Sequence, residues 1–510
     1  MRSIHVMYKA IVLAAAFTAA TVASVSADVV ISSDSTQNMT CGKGLCAPTA
    51  TDAVLNSGDL ENLLASGDLE VTTTGSGAQA NNIGIATGVS WKSARKLTLD
   101  AYHSLVFSAV VKVNGTGGVS LLTNDGGTGG VLSFAHSGQL VFADVADALT
   151  INGVAYALEN SLFSLGSYMR HHPTAAVALA SDYDAGGDGV HKEPPLNVRF
   201  AGTLEGLGNS IRNVDMERPH RGYTYFGLVY ANLGVIHGLR VTGAVVYAWK
   251  RTGKIGVLTG YNSGTIANCR ATGSIVSLYQ LGGIIGGLVG QNAGGTITDA
   301  HVDVNINFKS ASVGGLAGTN ESGVISLSYA NGSLSGGYKR TSSLGGLVGF
   351  NSGTIDQSYA TGPVYDVTRQ SNTGGLVGNA YSGQISNSYA FGAVSAGTQG
   401  NYLGGFAGSD TSAAILSSYT ISSLSEPNPK KWLGGFLGYL GTDEIQNAYW
   451  DTSTSGTTKG TGSGNVAGLT GLTSDELQSG LPAGFDPAIW AEQAGFNSGF
   501  PYLINNPPPY

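Results

Sequence analysis

The chain has 510 residues, a net charge of −8, 77 glycines and 42% hydrophobic residues, yet only 11% charged ones. That length suits several ordinary domains or one long repetitive one. Charge so thinly spread excludes bulk electrostatic binding to nucleic acid, and the many short Val/Ile/Leu runs exclude a disordered chain.

Residues 1–27 combine basic Arg2 and Lys9, an apolar run from Ala10 and a small-residue exit at Val25-Ser26-Ala27. This is the pattern of a Sec-type signal peptide cut after Ala27, the alternative being an uncleaved anchor. No other long apolar stretch follows, so the mature chain is expected to have no integral membrane span. Export predicts an oxidising compartment, in which Cys41 and Cys46 of "CGKGLC" could close as a local disulfide. A metal there would need a second pair or a nearby histidine, and neither is found. Residues 28–152 read as an N-terminal β-rich region. Two short helical possibilities lie around "DAVLNSGDLENLLASG", and alternating strands such as "KLTLDAY", "SLVFSAVVKV" and "GQLVFAD" predict coils shorter than those that follow. Residues 153–199 connect, with a helix expected in "ENSLFSLGSYMRHHP", apolar at Leu162, Phe163, Leu165, Tyr168 and Met169 and ended by Pro173.

A repeat then takes over from 200 to 450. The isoleucine of a "G-x-I" element falls at Ile236, Ile266, Ile297, Ile325, Ile355, Ile385, Ile415 and Ile445, and a glycine of a "GG-L-V-G" element keeps step from Gly227 to Gly435. Tyrosine follows four residues after the last five isoleucines, at Tyr329, Tyr359, Tyr389, Tyr419 and Tyr449. Each copy holds three short apolar bursts between Gly, Asn and Ser, too short for helices, so each copy is one coil of a parallel β-helix. Glycines are expected at corners of positive φ, with aliphatics inside and Asn or Ser bonding from rung to rung. Cys269 stands three after its isoleucine, where Ser328, Ser358, Ser388 and Ser418 stand in other copies, and reads as a packed free thiol. About eight coils of ~30 residues make a rod of roughly 40 Å at about 4.8 Å per rung. Residues 451–510 leave the repeat. A capping box at Thr473 and Glu476 and the aromatic "FDPAIW…GFPYLI" read as a cap for the open end.

The word "GGLVGFNSGTIDQSYATGPV" (345–364) resembles the GLUG repeat of large bacterial surface proteins, including haemagglutinin-like adhesins and the non-catalytic region of some IgA-cleaving metalloproteases. "FAGTLEGLGNSIRNV" (200–214) resembles the opening coil of such domains. "ANNIGIATGVSWKSARKLTLDAYHSLVF" and "LLTNDGGTGGVLSF" resemble filamentous-haemagglutinin-type passenger segments. The resemblance implies an all-β, right-handed solenoid at the cell surface or secreted. It also implies an adhesin-like role towards host or matrix glycans or surface proteins. The Asn-Pro-Asn motif of two-partner secretion is not found, and the residues after 450 leave no room for an autotransporter barrel.

Many β-helices are polysaccharide lyases or hydrolases, which need two or three acidic groups brought together. In a solenoid that means one register in adjacent coils, and the repeat acids do not align: one period either side of Asp356 stand Ser326 and Ser386. No HExxH occurs. Asp182, Asp184 and Asp188 of "DYDAGGDG" lack the distal bidentate glutamate of a calcium loop and read as a turn, and His171-His172 reads as a solvated helix end. No catalytic, cofactor or metal residue is therefore assigned. One pattern stands out. Six residues before the marker glycine lie Arg221, Lys250, Lys309, Arg340 and Arg369, with Lys430 displaced by one and Leu281 and Gln399 as exceptions. Stacked coils would set these as a basic ladder able to bind an anionic glycan; alternatively the loop is merely exposed, its cations blocking edge aggregation. The expected function is an exported, non-catalytic, adhesin-like β-helix. A carbohydrate-active enzyme and a purely structural extracellular component are the alternatives.

Overall fold

The eight marker isoleucines meet one another in the computed structural model: Ile236, Ile266, Ile297, Ile325, Ile355, Ile385, Ile415 and Ile445 pair coil to coil in exact register, all of them buried. The structure describes residues 28–509 apart from 136, 219–223, 249–252, 278–282, 310, 338–342, 368–370, 398–401, 427–431 and 442–443. It is an all-β solenoid of about 12 turns, 52% strand and 8% helix. Of these turns, eight carry the marker isoleucine, and the remainder are the additional coils expected upstream.

Each repeat coil contributes to three parallel sheets. One runs through nine strands from Leu196–Phe200 to Leu437–Leu440, and a second through eight from Tyr225–Phe226 to Leu433–Gly434. The third carries the isoleucines and continues into the N-terminal coils. Parallel stacking of like residues makes the interior one continuous column of aliphatics, each fully buried side chain contributing about 1.5–3 kcal/mol. Upstream, a second core is built by shorter coils: Ile83 pairs with Leu105 and Leu97 with Val119, while Asp28–Ser32 is threaded between Ala53–Asn56 and Asn82–Ile85. Cys41 and Cys46 face each other across a hairpin of Met39–Gly42 with Leu45–Pro48 and are joined as a disulfide.

Two helices pack on the solenoid. The segment read as two helical possibilities is one helix, α1 (Ser57–Ser66), capped by Asn56 and burying Leu60 and Leu64. Helix α2 (Leu162–His171) starts at the Ser161 cap and buries Leu162, Leu165 and Met169. It lies against Leu196–Phe200, the first strand of its sheet. Phe163, counted among its apolar positions, instead points outward and is 82% exposed.

The glycines meet the expectation in part, Gly238, Gly243, Gly294 and Gly383 standing at positive φ. The marker glycines do not serve positive φ; they permit contact between rungs. A Cβ on Gly315, Gly346, Gly375 or Gly405 would lie 2.1–2.3 Å from the carbonyl oxygen of the equivalent glycine one coil on. The left-handed corner falls two residues after the isoleucine, on Gly238 in the first copy and on non-glycine side chains in the others: Asn268, Asp299, Leu327, Gln357, Asn387, Ser417 and Asn447, with φ of 45–51°. Asn and Asp accept that conformation because their short side chains bond locally. The rung-to-rung amides do appear. Buried Asn232, Asn262, Asn292 and Asn320 each donate Nδ2 to the next Oδ1 at 2.7–2.8 Å, the run ending on Asn351, which donates to Gly353 O.

The tail divides. Leu469–Leu472 adds a strand to Ala448–Asp451 and Thr461 bridges Leu437, which covers the last coil. Residues after Thr473, where the capping box forms, turn back along the flank of the rod. Asn506 there bonds Ser328 O and Gln357 O.

Candidate functional site

The basic ladder is built on loops whose flanks are in register. On one side Ala248 pairs with Ser277, and Phe308 with Gly336; on the other Lys254 pairs with Ile284, and Ser312 with Ser343. Of the ladder itself, Lys309 is described and exposed, while Arg221, Lys250, Arg340, Arg369 and the displaced Lys430 lie outside the described residues. At the foot of the first loops the structure shows a cluster that sequence reasoning missed. The Arg199 guanidinium lies 5.8 and 5.9 Å from the ring centres of Tyr225 and Tyr230. The Lys254 ammonium lies 5.3 and 5.8 Å from those of Tyr225 and Tyr261 and bonds Gln291. Cations over tyrosine faces are held in place without being neutralised. These residues come from four coils, so only the stacking register, which joins Tyr225 to Lys254 and Tyr261 to Gln291, reveals them.

The three loop aspartates do not converge. Asp182 accepts from Gln139 and the Ser210 N–H, and its other oxygen lies 3.5 Å from Arg212. Asp184 accepts from the Gly186 N–H and Asn213, which hold its carboxyl below the usual range. Asp188 accepts from the Tyr183 hydroxyl at 2.7 Å. His171 bonds Ser167 O at the end of α2, and His172 rests on Tyr168. Cys269 is buried and donates to Ala267 O at 3.2 Å, as Ser328 donates to Ser326 O at 2.6 Å. Burial pushes the thiol up to about 12, so no nucleophile is available there.

Acids do pair outside the repeat. Asp100 is raised to about 6, first by burial and then by Asp125 and Glu70. Close by, Asn81, Asn82, Tyr102, His103 and Gly126–Thr128 line a cleft of about 490 Å³. A search confined to the thirty-residue period could not find this pair, because it lies in coils of another length.

On the third sheet, the outward column four residues after each isoleucine reads Arg240, Arg270, His301, Tyr329, Tyr359, Tyr389, Tyr419, Tyr449. The rings stack, His301 on Tyr329 at 4.3 Å, Tyr329 on Tyr359 at 4.8 Å and Tyr359 on Tyr389 at 4.5 Å. The returning tail covers the later tyrosines with Leu477, Phe485, Trp490, Phe500 and Leu503. It also supplies Pro507 O to Tyr359, Pro501 O to Tyr419 and Ala483 O to Tyr449. At the other end, Arg240 donates to Phe134 O and Gly138 O of the N-terminal coils. Beside His301, Asp299 is 3.1 Å away. Burial raises the Asp299 carboxyl, but His301, Asn268 and Arg270 outweigh it and hold it below the usual range.

Residues 370–395 match the GLUG motif, a repeat that occurs in bacterial surface proteins and is typical of extracellular ones. Among solved structures, the chain is similar to that of a "putative immunoglobulin A1 protease from Bacteroides ovatus", at 16% identity and a TM-score of 0.36, over 69% of this chain and 92% of that one. No curated protein matches. Among the described residues, no helix is long and apolar enough to cross a membrane.

Proposed function

We propose that this chain is an exported, non-catalytic β-helical surface protein that attaches its cell to anionic glycans of a host or matrix, through the loop edge marked by Arg221, Lys250, Lys309, Arg340 and Arg369. The observation that carries this reading is the cluster at the foot of that edge. Arg199 and Lys254 are presented over tyrosine rings, so a glycan meets fixed positive charge beside ring edges and hydroxyls. A regularly charged polysaccharide would then gain several weak contacts at once, each sensitive to salt. Cell fractionation should find the protein on the outer surface or in the medium. Changing Lys309, Arg340 and Arg369 together to Ser should weaken binding to a sulfated or uronate polysaccharide at low salt without unfolding the rod. Parent-like binding by that variant would reduce the ladder to a solvated face.

A second reading, a carbohydrate-active enzyme, is favoured by the Asp100–Asp125 pair beside an open cleft, since a carboxyl raised by burial and a second carboxyl beside it is an arrangement acid–base catalysis uses. Product release from a polysaccharide panel that is lost in Asp100→Asn would establish it over attachment.

A further inference from the structure

The outward column of the third sheet has a gap in its cover. From the upstream end, the N-terminal coils reach as far as Arg240 and, through the Phe134 N–H, Asn268. From the downstream end, the tail reaches Tyr359, with Asn506 on Ser328 O. Of the covered positions, Arg240, Tyr359, Tyr419 and Tyr449 each donate to a backbone carbonyl, while the covered Tyr389 hydroxyl meets none. Between them, Arg270, His301 and Tyr329 receive none. Arg270 is half-buried yet makes no hydrogen bond or ion pair among the described residues, and neither does the Tyr329 hydroxyl. Leaving a half-buried guanidinium without an acceptor is costly unless something supplies one.

We propose that this window is a binding site for the carboxylate of an acidic sugar unit, distinct from the loop edge. Arg270 takes the carboxylate in a forked, two-point contact. The Tyr329 hydroxyl donates alongside it, its ring being held between His301 and Tyr359. The His301–Asp299 pair fixes the floor, and exposed Asp303 with Thr272, in the flanking outward column, meets sugar hydroxyls. The negative charges of Asp299, in the floor, and of exposed Asp303, in the flanking column, disfavour a densely sulfated chain and favour a ligand with one negative charge among hydroxyls. Three rungs span roughly 10 Å between first and last, the size of a short oligosaccharide. The inference rests on glycan recognition as proposed above, but not on the ladder residues.

The test titrates the full chain with trigalacturonate and with its methyl ester, in parent, Arg270→Gln, Tyr329→Phe and the double variant Arg199→Gln/Lys254→Gln, with circular dichroism as the folding control. The parent should bind the acid and not the ester. Arg270→Gln should lose about tenfold or more. Tyr329→Phe, which keeps the ring stack, should lose a few-fold, and the double variant, which removes charge from the loop edge, should lose less than Arg270→Gln does. Equal binding of acid and ester, parent-like affinity in Arg270→Gln, or tighter binding of an acidic tetrapeptide would overturn the assignment. Loss confined to the double variant would also overturn it while leaving the loop edge standing. So would a parent that ignores trigalacturonate but binds long sulfated glycans; a parent that binds neither sinks both readings.

Discussion

Replacing Trp490 with alanine should open the tail while leaving the rod folded. Trp490 is 1% exposed and sits against Phe485 at 4.6 Å, Tyr419 at 5.8 Å and Tyr389 at 6.0 Å, with its indole N–H on Asn387. Removing a buried indole costs about 3–5 kcal/mol. Here the loss falls on the tail's contact with the tyrosine stack, whereas the aliphatic column lies on the other side of the sheet and is untouched. If the tail opens on its own, that cost raises the open population roughly 10²–10⁴-fold. Hydrogen exchange reads it directly. The Trp490 and Ile504 amides, bonded to Asp486 O and Ile489 O, should exchange faster by that factor. Limited proteolysis should cut after 473 first, and the main melting transition should move little. A uniform rise in exchange across the marker-isoleucine strands, with tail and rod melting together, would refute the idea that the tail is a separately stable strap.

Other consequences follow from single contacts. Gly346→Ala should be severely destabilising, since the new Cβ would lie 2.1 Å from Gly375 O; Gly84→Ala, with nothing within 4 Å, is the control, and thermal melts compare them. Asn292→Ala should cost about 2–4 kcal/mol by denaturant titration, because it orphans the donor of Asn262 and the acceptors Asn320 Oδ1 and Gly295 O. Asp410 is raised to about 7, chiefly by burial, against the Ala413 N–H and with Glu444 adding repulsion. A raised carboxyl favours the protonated fold, so its contribution is full below about pH 4, falls as pH rises towards 7 and is absent above. Asp410→Asn should therefore stabilise the protein at pH 8 by up to roughly 4 kcal/mol and change little at pH 4, as paired denaturant melts would show.

What the sequence disclosed is what repetition discloses. A thirty-residue period implies stacked coils, and stacking alone places Ile236 over Ile266 and Ser328 over Ser358, as the structure has them. The repeat also explains Cys269, whose thiol takes the serine's bond to the carbonyl two residues back. Glycine was legible as a requirement, but positive φ accounts for only some of the glycines and rung contact for the others. From a sequence, a glycine demanded by a neighbouring rung looks the same as one demanded by positive φ, and only the 2.1 Å approach at Gly346 separates them. The Asp100–Asp125 pair and the Arg199–Lys254–tyrosine cluster escaped because their members come from coils of unequal length or from different sheets, where one spacing no longer maps onto one position.

The outward tyrosines show the deeper limit of the period as a guide. Within the repeat, Tyr359, Tyr389 and Tyr419 look alike, and a solenoid seen in isolation would put all three in solvent. They are buried because a segment more than eighty residues further along the chain lies over them, and no periodicity records that contact. The same column has arginine and histidine at its upstream end, so one register position serves two purposes: an aromatic bed for the tail, then a polar gap where the cover stops. A repeat fixes which residues are neighbours. What those neighbours do depends on non-repeating chain, and here that chain comes from both ends, leaving Arg270, His301 and Tyr329 between them.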